Sequence, residues 1–334
     1  MRRALILLPV VALALMVVAT SSVAARQPVA LGVSSQYSTD LAALDSFSAA
    51  VGAKPAMWTV WSTWGDRGGR TTCSNKVGTC AFPMALARGL KARKVTPFIW
   101  WQPTDPANST AGTYERYQNI IKGKHDQYIR SWAKAAKAFG KPVIVRFMHE
   151  MNGDWFPWSI GNFDNNPRRF RAAWQHVVKE FRKVGARNVR FVWSPYSWGK
   201  GKYSVIYPGN DYVDYVGVTS LNWGGGRWKS LTGLLERPMG SLRKITRTSR
   251  SPMGKPVILP EVGSNWDGDK ASWIRTGYQA AYKRWPVIRA MVYFDYDTSA
   301  MGQPDWRLIQ PPDGAAVVAY RSIATKPIFR ASIP

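Results

Sequence analysis

Two glutamates occupy matching positions in this sequence. Glu150 and Glu261 each end an apolar, strand-like run, at 143–150 and 256–261, and each is followed closely by Gly, Asn and Trp. The chain has only 20 Asp and Glu against 46 Lys and Arg, so carboxylates at two strand ends are a distinctive feature. A carboxylate pair can cleave a glycosidic bond when one member protonates the leaving oxygen and the other attacks the anomeric carbon. The pair and its flanking tryptophans therefore indicate sugar-cleaving chemistry.

Apolar runs alternate with helical patterns along the chain and must bring these glutamates together. The runs lie at 29–34, 55–61, 95–101, 143–150, 189–195, 213–221, 256–261 and 288–294. Between them, apolar residues recur at helical spacing in stretches that end before Gly140, Gly185 and Pro286. Runs that are apolar throughout are covered on both faces, which is typical of a parallel sheet with helices outside. The sequence therefore predicts an α/β fold, a single (β/α)8 TIM barrel; a doubly wound sheet is less favoured because no Gly-rich phosphate turn follows the first run.

Such a barrel would place both glutamates at one mouth. In (β/α)8 barrels the chemistry lies at the C-terminal ends of the strands. Glu150 would end the fourth strand and Glu261 the seventh, so that the two face each other. Hydrolysis with retention requires such a pair about 5 to 5.5 Å apart. A buried ion pair with Arg146 is the alternative role for either glutamate.

Neighbouring side chains would tune the pair. Aromatic residues near Glu150 would desolvate it and raise its pKa toward that of a working acid. Arg146 would favour the ionised state of a neighbouring carboxylate. His149 can join the site only if the strand end bends, because adjacent strand residues point to opposite faces. Packing in the core is the alternative for His149.

Tryptophans are concentrated at or just past the strand ends. They are Trp58, Trp61, Trp100, Trp101, Trp155, Trp158, Trp193 and Trp223. Sugar rings bind on flat aromatic faces, and each large aromatic side chain buries roughly 150 to 250 Å². Alternation along a strand directs about half of such residues into the core. We therefore expect Trp155 and Trp223 to form substrate-binding walls.

These motifs resemble those of a known family. They are, in order, His149-Glu-Met-Asn-Gly-Asp-Trp155, Tyr212-Val-Asp-Tyr-Val-Gly217, Asn222-Trp-Gly224 and Lys255-Pro-Val-Ile-Leu-Pro-Glu261. Together they resemble glycoside hydrolase family 26, the β-mannanase-like members of the large clan of (β/α)8 glycosidases, and the likeness extends over 29–328.

The resemblance implies a role for each matching residue. Glu150 is then the acid/base on strand four, and Glu261 is the nucleophile on strand seven. His149 is a polar neighbour that helps to hold the site, and Trp155 is a sugar-stacking wall.

Two positions depart from the family's pattern. Many members have Asp-x-Tyr on strand six, with the tyrosine hydrogen-bonded to the nucleophile, whereas this chain has Thr219-Ser220-Leu221. On strand eight, Tyr293 stands where a tryptophan usually lies under the reactive sugar, and we expect Tyr293 to contact substrate. Without the tyrosine donor, either another donor replaces it or the substrate lies differently. The resemblance therefore implies a hydrolase without implying plain mannan specificity.

The start of the chain and its cysteines indicate an exported protein. Residues 1–25 combine a basic start, an apolar run and the small-residue sequence Val23-Ala24-Ala25, which is typical of a cleaved secretory signal; an uncleaved anchor is the alternative. We expect 26–334 to be an extracellular catalytic domain with no membrane contact once the signal is removed. Cys73 and Cys80 predict a disulfide that closes a small loop and contributes roughly 2.5 kcal/mol, whereas a metal site is less favoured.

The charge balance is strongly basic. The formal net charge is +26, or +24 after loss of Arg2 and Arg3 with the signal. Basic residues are spread along the chain, so solvated surface charge and adhesion to anionic cell-wall or extracellular polymers are favoured over specific nucleic-acid binding. The alternative is a cationic rim that favours an anionic polymer as substrate or matrix. Its predicted members are Arg67, Arg70, Lys76, Arg227 and Lys229.

The sequence as a whole predicts a secreted retaining β-glycoside hydrolase. We expect it to be a monomer, to need no cofactor or metal, and to cleave a β-linked mannan- or glucan-like polysaccharide internally. Two alternatives use the same barrel: a transglycosylase with the same residues, and a carbohydrate-binding barrel with little turnover. A nucleic-acid binder would need its charge concentrated along one groove.

Overall fold

The protein is described here from a computed structural model covering residues 26–65, 73, 76, 78–104, 116–162, 165–309 and 314–333. The predicted signal at 1–25 lies outside the described residues, as do Arg67 and Arg70 of the predicted rim. Within these ranges, no helix combines the length and apolar character that crossing a bilayer requires.

Strands and helices alternate along the chain. The strands are β1 (Ala30–Ser35), β2 (Met57–Thr63), β3 (Thr96–Gln102), β4 (Val143–Phe147), β5 (Val189–Trp193), β6 (Tyr215–Val216), β7 (Ser220–Asn222), β8 (Val257–Ser264) and β9 (Ile288–Asp295). The helices are α1 (Leu41–Val51), α2 (Met84–Ala92), α3 (Tyr117–Ile121), α4 (Asp126–Phe139), α5 (Pro167–Val184), α6 (Tyr203–Ile206), α7 (Leu231–Thr246), α8 (Lys270–Arg284) and α9 (Gly314–Ala324). The stretches expected to be helical before Gly140, Gly185 and Pro286 correspond to α4, α5 and α8.

The sheet closes into a barrel. Parallel pairing runs in order from β1 to β6, and from β1 through β9 to β8. The β8 strand then pairs with β6 through Val257 and Val216, and with β7 through Gly263 and Leu221. The β6 and β7 strands are therefore two parts of the sixth barrel strand, which the sequence pattern indicated as one run. The predicted (β/α)8 barrel is confirmed.

A glycine permits the close approach that completes the barrel. Gly217 follows β6 and donates its N–H to the Trp193 carbonyl at 2.9 Å, which ties it to β5. A Cβ at this position would lie 2.1 Å from the carbonyl oxygen of Ile258 on β8. Only glycine allows two backbones to approach this closely. The interruption of the sixth strand thus lies where β5 and β8 are drawn together.

Alternation along the strands separates two apolar cores. The inward-facing side chains of the strands form the first core, inside the barrel, and they include Met57, Phe98, Ile144, Val192, Ile258 and Val292. Outward-facing strand residues pack with the helices in the second core. The longest helix, α5, shows how a helix contributes: it is capped by Asn166 and Gly185, and it buries Phe170, Trp174 and Phe181 on one face. Helices fixed in this way hold the strand ends, and with them the site, in place.

The two cysteines form the predicted disulfide. Cys73 and Cys80 are joined, with their Cα atoms 4.7 Å apart. The Tyr128 hydroxyl on α4 donates a hydrogen bond of 2.8 Å to the Cys80 carbonyl. This hydrogen bond therefore fastens Cys80, and with it the disulfide, to α4.

Gly217→Ala should destabilise the protein by about 1–3 kcal/mol, because the added methyl group overlaps a backbone oxygen that cannot move without opening the barrel. Gly240→Ala is the matched control, since its Cβ position in α7 meets open space beyond the backbone of its own helix. That change should leave stability equal or slightly higher. Urea unfolding measures both variants. Equal midpoints for the two would contradict the role given to Gly217.

Candidate active site

Glu150 lies in a tight turn beyond the fourth strand, and not at the strand end that the sequence pattern indicated. Met148 and Glu150 have φ angles of 41° and 53°. Left-handed backbone is unfavourable for residues with a side chain, so surrounding bonds must hold the turn. The Glu150 N–H donates to the Ser194 carbonyl at 2.9 Å. The Asn152 amide bonds the backbone of Tyr196 in both directions, at 2.7 and 2.9 Å. The loop after β5 thus fixes the turn that carries Glu150.

Glu261 lies inside β8, which continues to Ser264, so it is also not the last residue of its strand. Its Oε1 accepts a hydrogen bond from the guanidinium of Arg146, which extends from β4. Arg146 is completely buried, its Nε donates to Ser194 Oγ at 2.6 Å, and its guanidinium lies 4.4 Å from the ring centre of Trp100. The cation beside Glu261 is therefore held on several sides.

One hydroxyl group links the two carboxylates. Thr219, between β6 and β7, donates to Oε1 of Glu150, and its Oγ1 lies 3.4 Å from Oε1 of Glu261. Arg146 donates to the same Oγ1 at 3.1 Å and comes within 3.8 Å of Oε1 of Glu150. The structure thus places the two predicted glutamates side by side around one arginine and one threonine.

The two carboxylates have different electrostatic surroundings. Burial, and then the charge of Glu261, raise the pKa of Glu150 to about 7, whereas Arg146 and the donors Thr219 and Trp155 act in the opposite direction. Arg146 bonds Glu261 directly but only approaches Glu150. Near neutral pH, Glu150 can therefore hold a proton while the guanidinium compensates the charge of Glu261.

His149 reaches the site side of the turn but is enclosed by aromatic rings. The rings of Phe156, Trp100 and Trp158 lie 4.6, 5.2 and 5.5 Å from its own. Burial, and then the charge of Arg146, lower the pKa of His149 well below its ordinary value. It is therefore a neutral, packed histidine that lies against Trp100, the ring beneath Arg146. The left-handed turn does bring His149 to the side of the strand end where the carboxylates lie. The contacts that His149 makes there are packing contacts with aromatic rings.

The two tryptophans expected as sugar walls lie at the mouth in different settings. Trp155 is 50% exposed, and its Nε1 donates to Oε2 of Glu150 at 3.0 Å. Trp223 packs edge to face on Trp306, with ring centres 5.4 Å apart, and lines a cavity of about 530 Å³ together with Tyr196. Trp155 is therefore open to the mouth and bonded to Glu150, whereas Trp223 borders a neighbouring cavity.

Tyr293 does not face the mouth. Its ring is fully buried between β9 and the helices, 5.5 Å from the ring of Tyr320, and its hydroxyl donates to the Trp306 carbonyl at 3.1 Å. Its neighbours Val292 and Phe294 belong to the barrel interior instead. The expected contact between Tyr293 and substrate is thus corrected, because the strand's alternation turns this residue outward.

Two tyrosines near the carboxylates were not singled out by the sequence. Burial, and then the charges of both glutamates, raise the pKa of Tyr196, and its ring lies 4.9 Å from that of Trp155, which bonds Glu150. Tyr296 accepts a 2.5 Å hydrogen bond from Trp61, and the charge of Glu261 adds to the rise in its pKa that burial causes. Each follows a barrel strand closely, β5 and β9, which is the same positional signal that identified the glutamates.

Among the described residues, one group of side chains has the composition of a metal site. Asp126, His176 and Glu180 lie together on α4 and α5. Arg130 bonds both Asp126 and Glu180, Lys183 bonds Glu180, and His176 bonds Asp126. The group is therefore an ion-pair network that joins two outer helices.

Comparisons with known proteins agree with this geometry. A family model described as glycosyl hydrolase family 26 matches residues 95–223. Endoglucanase H of Acetivibrio thermocellus is 33% identical over 246 residues, which is 68% of this chain and 26% of the relative. Mannan endo-1,4-beta-mannosidase A of Piromyces sp is 32% identical over 110 residues, 33% of this chain and 16% of the relative. The chain thus spans about a quarter or less of these curated relatives.

A solved structure shares the fold. The GH26 beta-mannanase BoMan26A of Bacteroides ovatus superposes with a TM-score of 0.66 at 17% identity, covering 91% of this chain and 90% of that one. A closed (β/α)8 barrel with two carboxylates at one mouth has the architecture of a glycoside hydrolase. The chain belongs to glycosyl hydrolase family 26.

Glu150→Gln should change how stability depends on pH. Because folding raises the pKa of Glu150 from 4.5 to about 7, its contribution to stability is fully present below pH 4.5 and is lost as pH rises through 7. The glutamine side chain does not titrate, so the variant should gain roughly 2–3 kcal/mol relative to wild type between pH 4 and pH 8. Chemical unfolding at several pH values measures this difference.

Glu236→Gln is the matched control, because it removes a glutamate whose side chain is 59% exposed and paired with Arg284. Subtracting its effect removes the consequence of losing one surface charge. A difference between Glu150→Gln and wild type that stays constant from pH 4 to pH 8 would contradict the elevated pKa.

Proposed function

We propose that the protein is a retaining β-glycoside hydrolase that cleaves a mannan- or glucan-like polysaccharide internally. The observation that carries the proposal is the carboxylate pair on one hydroxyl group, with the proton favoured on Glu150 and the cation bonded to Glu261. The β-1,4-mannanase and endoglucanase names of the relatives support a β-linked polysaccharide as substrate.

In the first step, Glu150 gives its proton to the glycosidic oxygen while that oxygen's bond to the anomeric carbon breaks. A carboxylate oxygen of Glu261 bonds to the anomeric carbon and forms a glycosyl-enzyme intermediate. Arg146 stays bonded to the Glu261 side of the pair and keeps this carboxylate oriented. Trp155 can hold a sugar ring beside the acid, since its ring is half exposed.

In the second step, Glu150 acts as a base and takes a proton from water. The water oxygen bonds to the anomeric carbon, and the bond to Glu261 breaks, which restores the protonated Glu150 and the carboxylate of Glu261. One hydroxyl group contacts an oxygen of each glutamate, whereas an inverting enzyme separates its carboxyl groups by roughly 6.5–9.5 Å to hold a water between them. This close spacing supports retention.

We also propose that the protein acts outside the cell. The basic and apolar residues of 1–25 support export, and the Cys73–Cys80 disulfide suits an oxidising compartment.

Expression in a secreting host should release a chain that begins at or near Arg26, which N-terminal sequencing would detect. A protein retained in the membrane fraction with residues 1–25 intact would contradict export with cleavage.

Kinetics of two variants should separate the roles of the glutamates. Glu261→Gln should lose nearly all activity on every substrate, because no nucleophile remains. Glu150→Ala should lose activity on polysaccharides by about 10²–10⁴-fold, yet spare the first step on an aryl glycoside with a good leaving group, which needs no protonation. Stopped-flow release of the aryl group measures that step. The assignment is wrong if Glu150→Ala fails equally on both substrates, or if the trapped sugar is attached to Glu150.

A further inference from the structure

Two cavities share the side chain of Trp198, in the loop after β5. The first, of about 530 Å³, is lined by residues that include Tyr196, Trp198 and Trp223. The second, of about 480 Å³, is lined by Trp198 and by residues that include Tyr203 on α6 and Pro238 on α7. The ring of Trp198 is 50% exposed between them. We call the two cavities together the basic groove.

The basic groove begins one side chain away from Glu150. Tyr196 lines its first cavity. The ring of Trp155, which bonds Glu150, stands edge to face with Tyr196 at 4.9 Å. A polymer chain that extends from the carboxylate pair past Tyr196 would therefore enter the basic groove.

The charges that line the groove all have one sign. Its basic residues are Lys202, Arg227, Lys229, Arg237 and Lys244, and its lining contains no Asp or Glu. In the part of the chain that the structure describes, no carboxylate forms an ion pair with any of these five, whereas other exposed cations such as Lys183 and Arg284 do have one. The groove therefore presents uncompensated positive charge next to the active site.

Two of these cations lie over the aromatic rings of the groove. The Lys229 ammonium is 4.1 Å from the ring centre of Trp198, and the Arg227 guanidinium is 5.6 Å from that of Trp223. A sugar that packs against either tryptophan would meet a positive charge at the same place. A neutral sugar gains little from such a charge, whereas a carboxylate or sulfate group gains charge-assisted hydrogen bonds.

We propose that the basic groove binds a polysaccharide strand that carries anionic substituents, either carboxylates or sulfate esters. The inference rests on the proposed hydrolase function, since it makes the groove a set of subsites for that enzyme's substrate. Arg227 and Lys229 belong to the predicted cationic rim, and the structure adds Lys202, Arg237 and Lys244. A nucleic-acid strand suits the groove less well, because bases stack on open aromatic faces and here two cations cover rings.

Three cellulose derivatives test the proposal, since they share one backbone and differ in charge. They are carboxymethyl-cellulose, cellulose sulfate and neutral hydroxyethyl-cellulose. Binding to the full-length Glu150→Gln protein, which cannot protonate a poor leaving group, is measured by calorimetry at low and moderate salt. One or both charged polymers should bind about tenfold more tightly than the neutral one at low salt, and moderate salt should reduce the difference because exposed charges are screened over about 10 Å at 0.1 M.

Removing groove charges should abolish this preference. The combined change R227Q/K229Q/R237Q in the same protein should weaken binding of the preferred charged polymer about tenfold and leave neutral binding unchanged. The control K91Q/K134Q/R187Q also removes three exposed positive charges, from α2, α4 and the loop after α5, and should change binding less than twofold. Melting temperatures of both triple variants should match, because all six side chains are on the surface.

Three outcomes would overturn the proposal: equal binding of all three polymers, equal effects of the two triple variants, or groove-dependent binding of a single-stranded oligonucleotide without binding of either charged polymer. A test of wild-type hydrolysis separates this proposal from the proposed function. A wild-type protein that cleaves no mannan or glucan overturns the hydrolase, whereas the binding comparison still decides what the groove accepts.

Discussion

The buried guanidinium of Arg146 is the interaction around which the site is organised. A cation inside a barrel is unfavourable unless it is bonded on several sides, and here Ser194, Thr219, Glu261 and the ring of Trp100 surround it. It supplies one positive charge to two buried carboxylates, so full ionisation would leave one negative charge without compensation. A proton on Glu150 removes that excess. The different surroundings of the two carboxylates, on which the proposed acid and nucleophile roles rest, thus follow from charge balance around a single arginine.

The barrel and the glutamate pair could be predicted from the sequence because both depend on local pattern. Unbroken apolar runs indicate strands covered on both faces, and a carboxylate after such a run lies near the mouth of a barrel. The ends of the strands were not predictable in this way. The left-handed turn at Met148 and Glu150 depends on bonds to the loop after β5, and these contacts join segments more than 40 residues apart.

Register explains the other differences. An apolar run without polar residues does not reveal which side chains face inward, and so Tyr293 was assigned to the mouth although its neighbours Val292 and Phe294 fill the barrel. Thr219 lies where Gly217 interrupts the sixth strand, and no periodic pattern extends across such a break. Its hydroxyl lies beside Glu261 and is thus the other donor that we expected in place of the tyrosine that this chain lacks.

The half-exposed ring of Trp155 places a surface of the mouth in direct contact with Glu150. Its indole N–H bonds the same carboxyl group whose proton affinity burial raises. A sugar lying on this ring would displace water from the open side of Glu150 and make its surroundings less polar, which favours the protonated form further. Binding of a polymer near neutral pH would then be accompanied by proton uptake from solution. Glu150 would thereby hold the proton that cleavage requires.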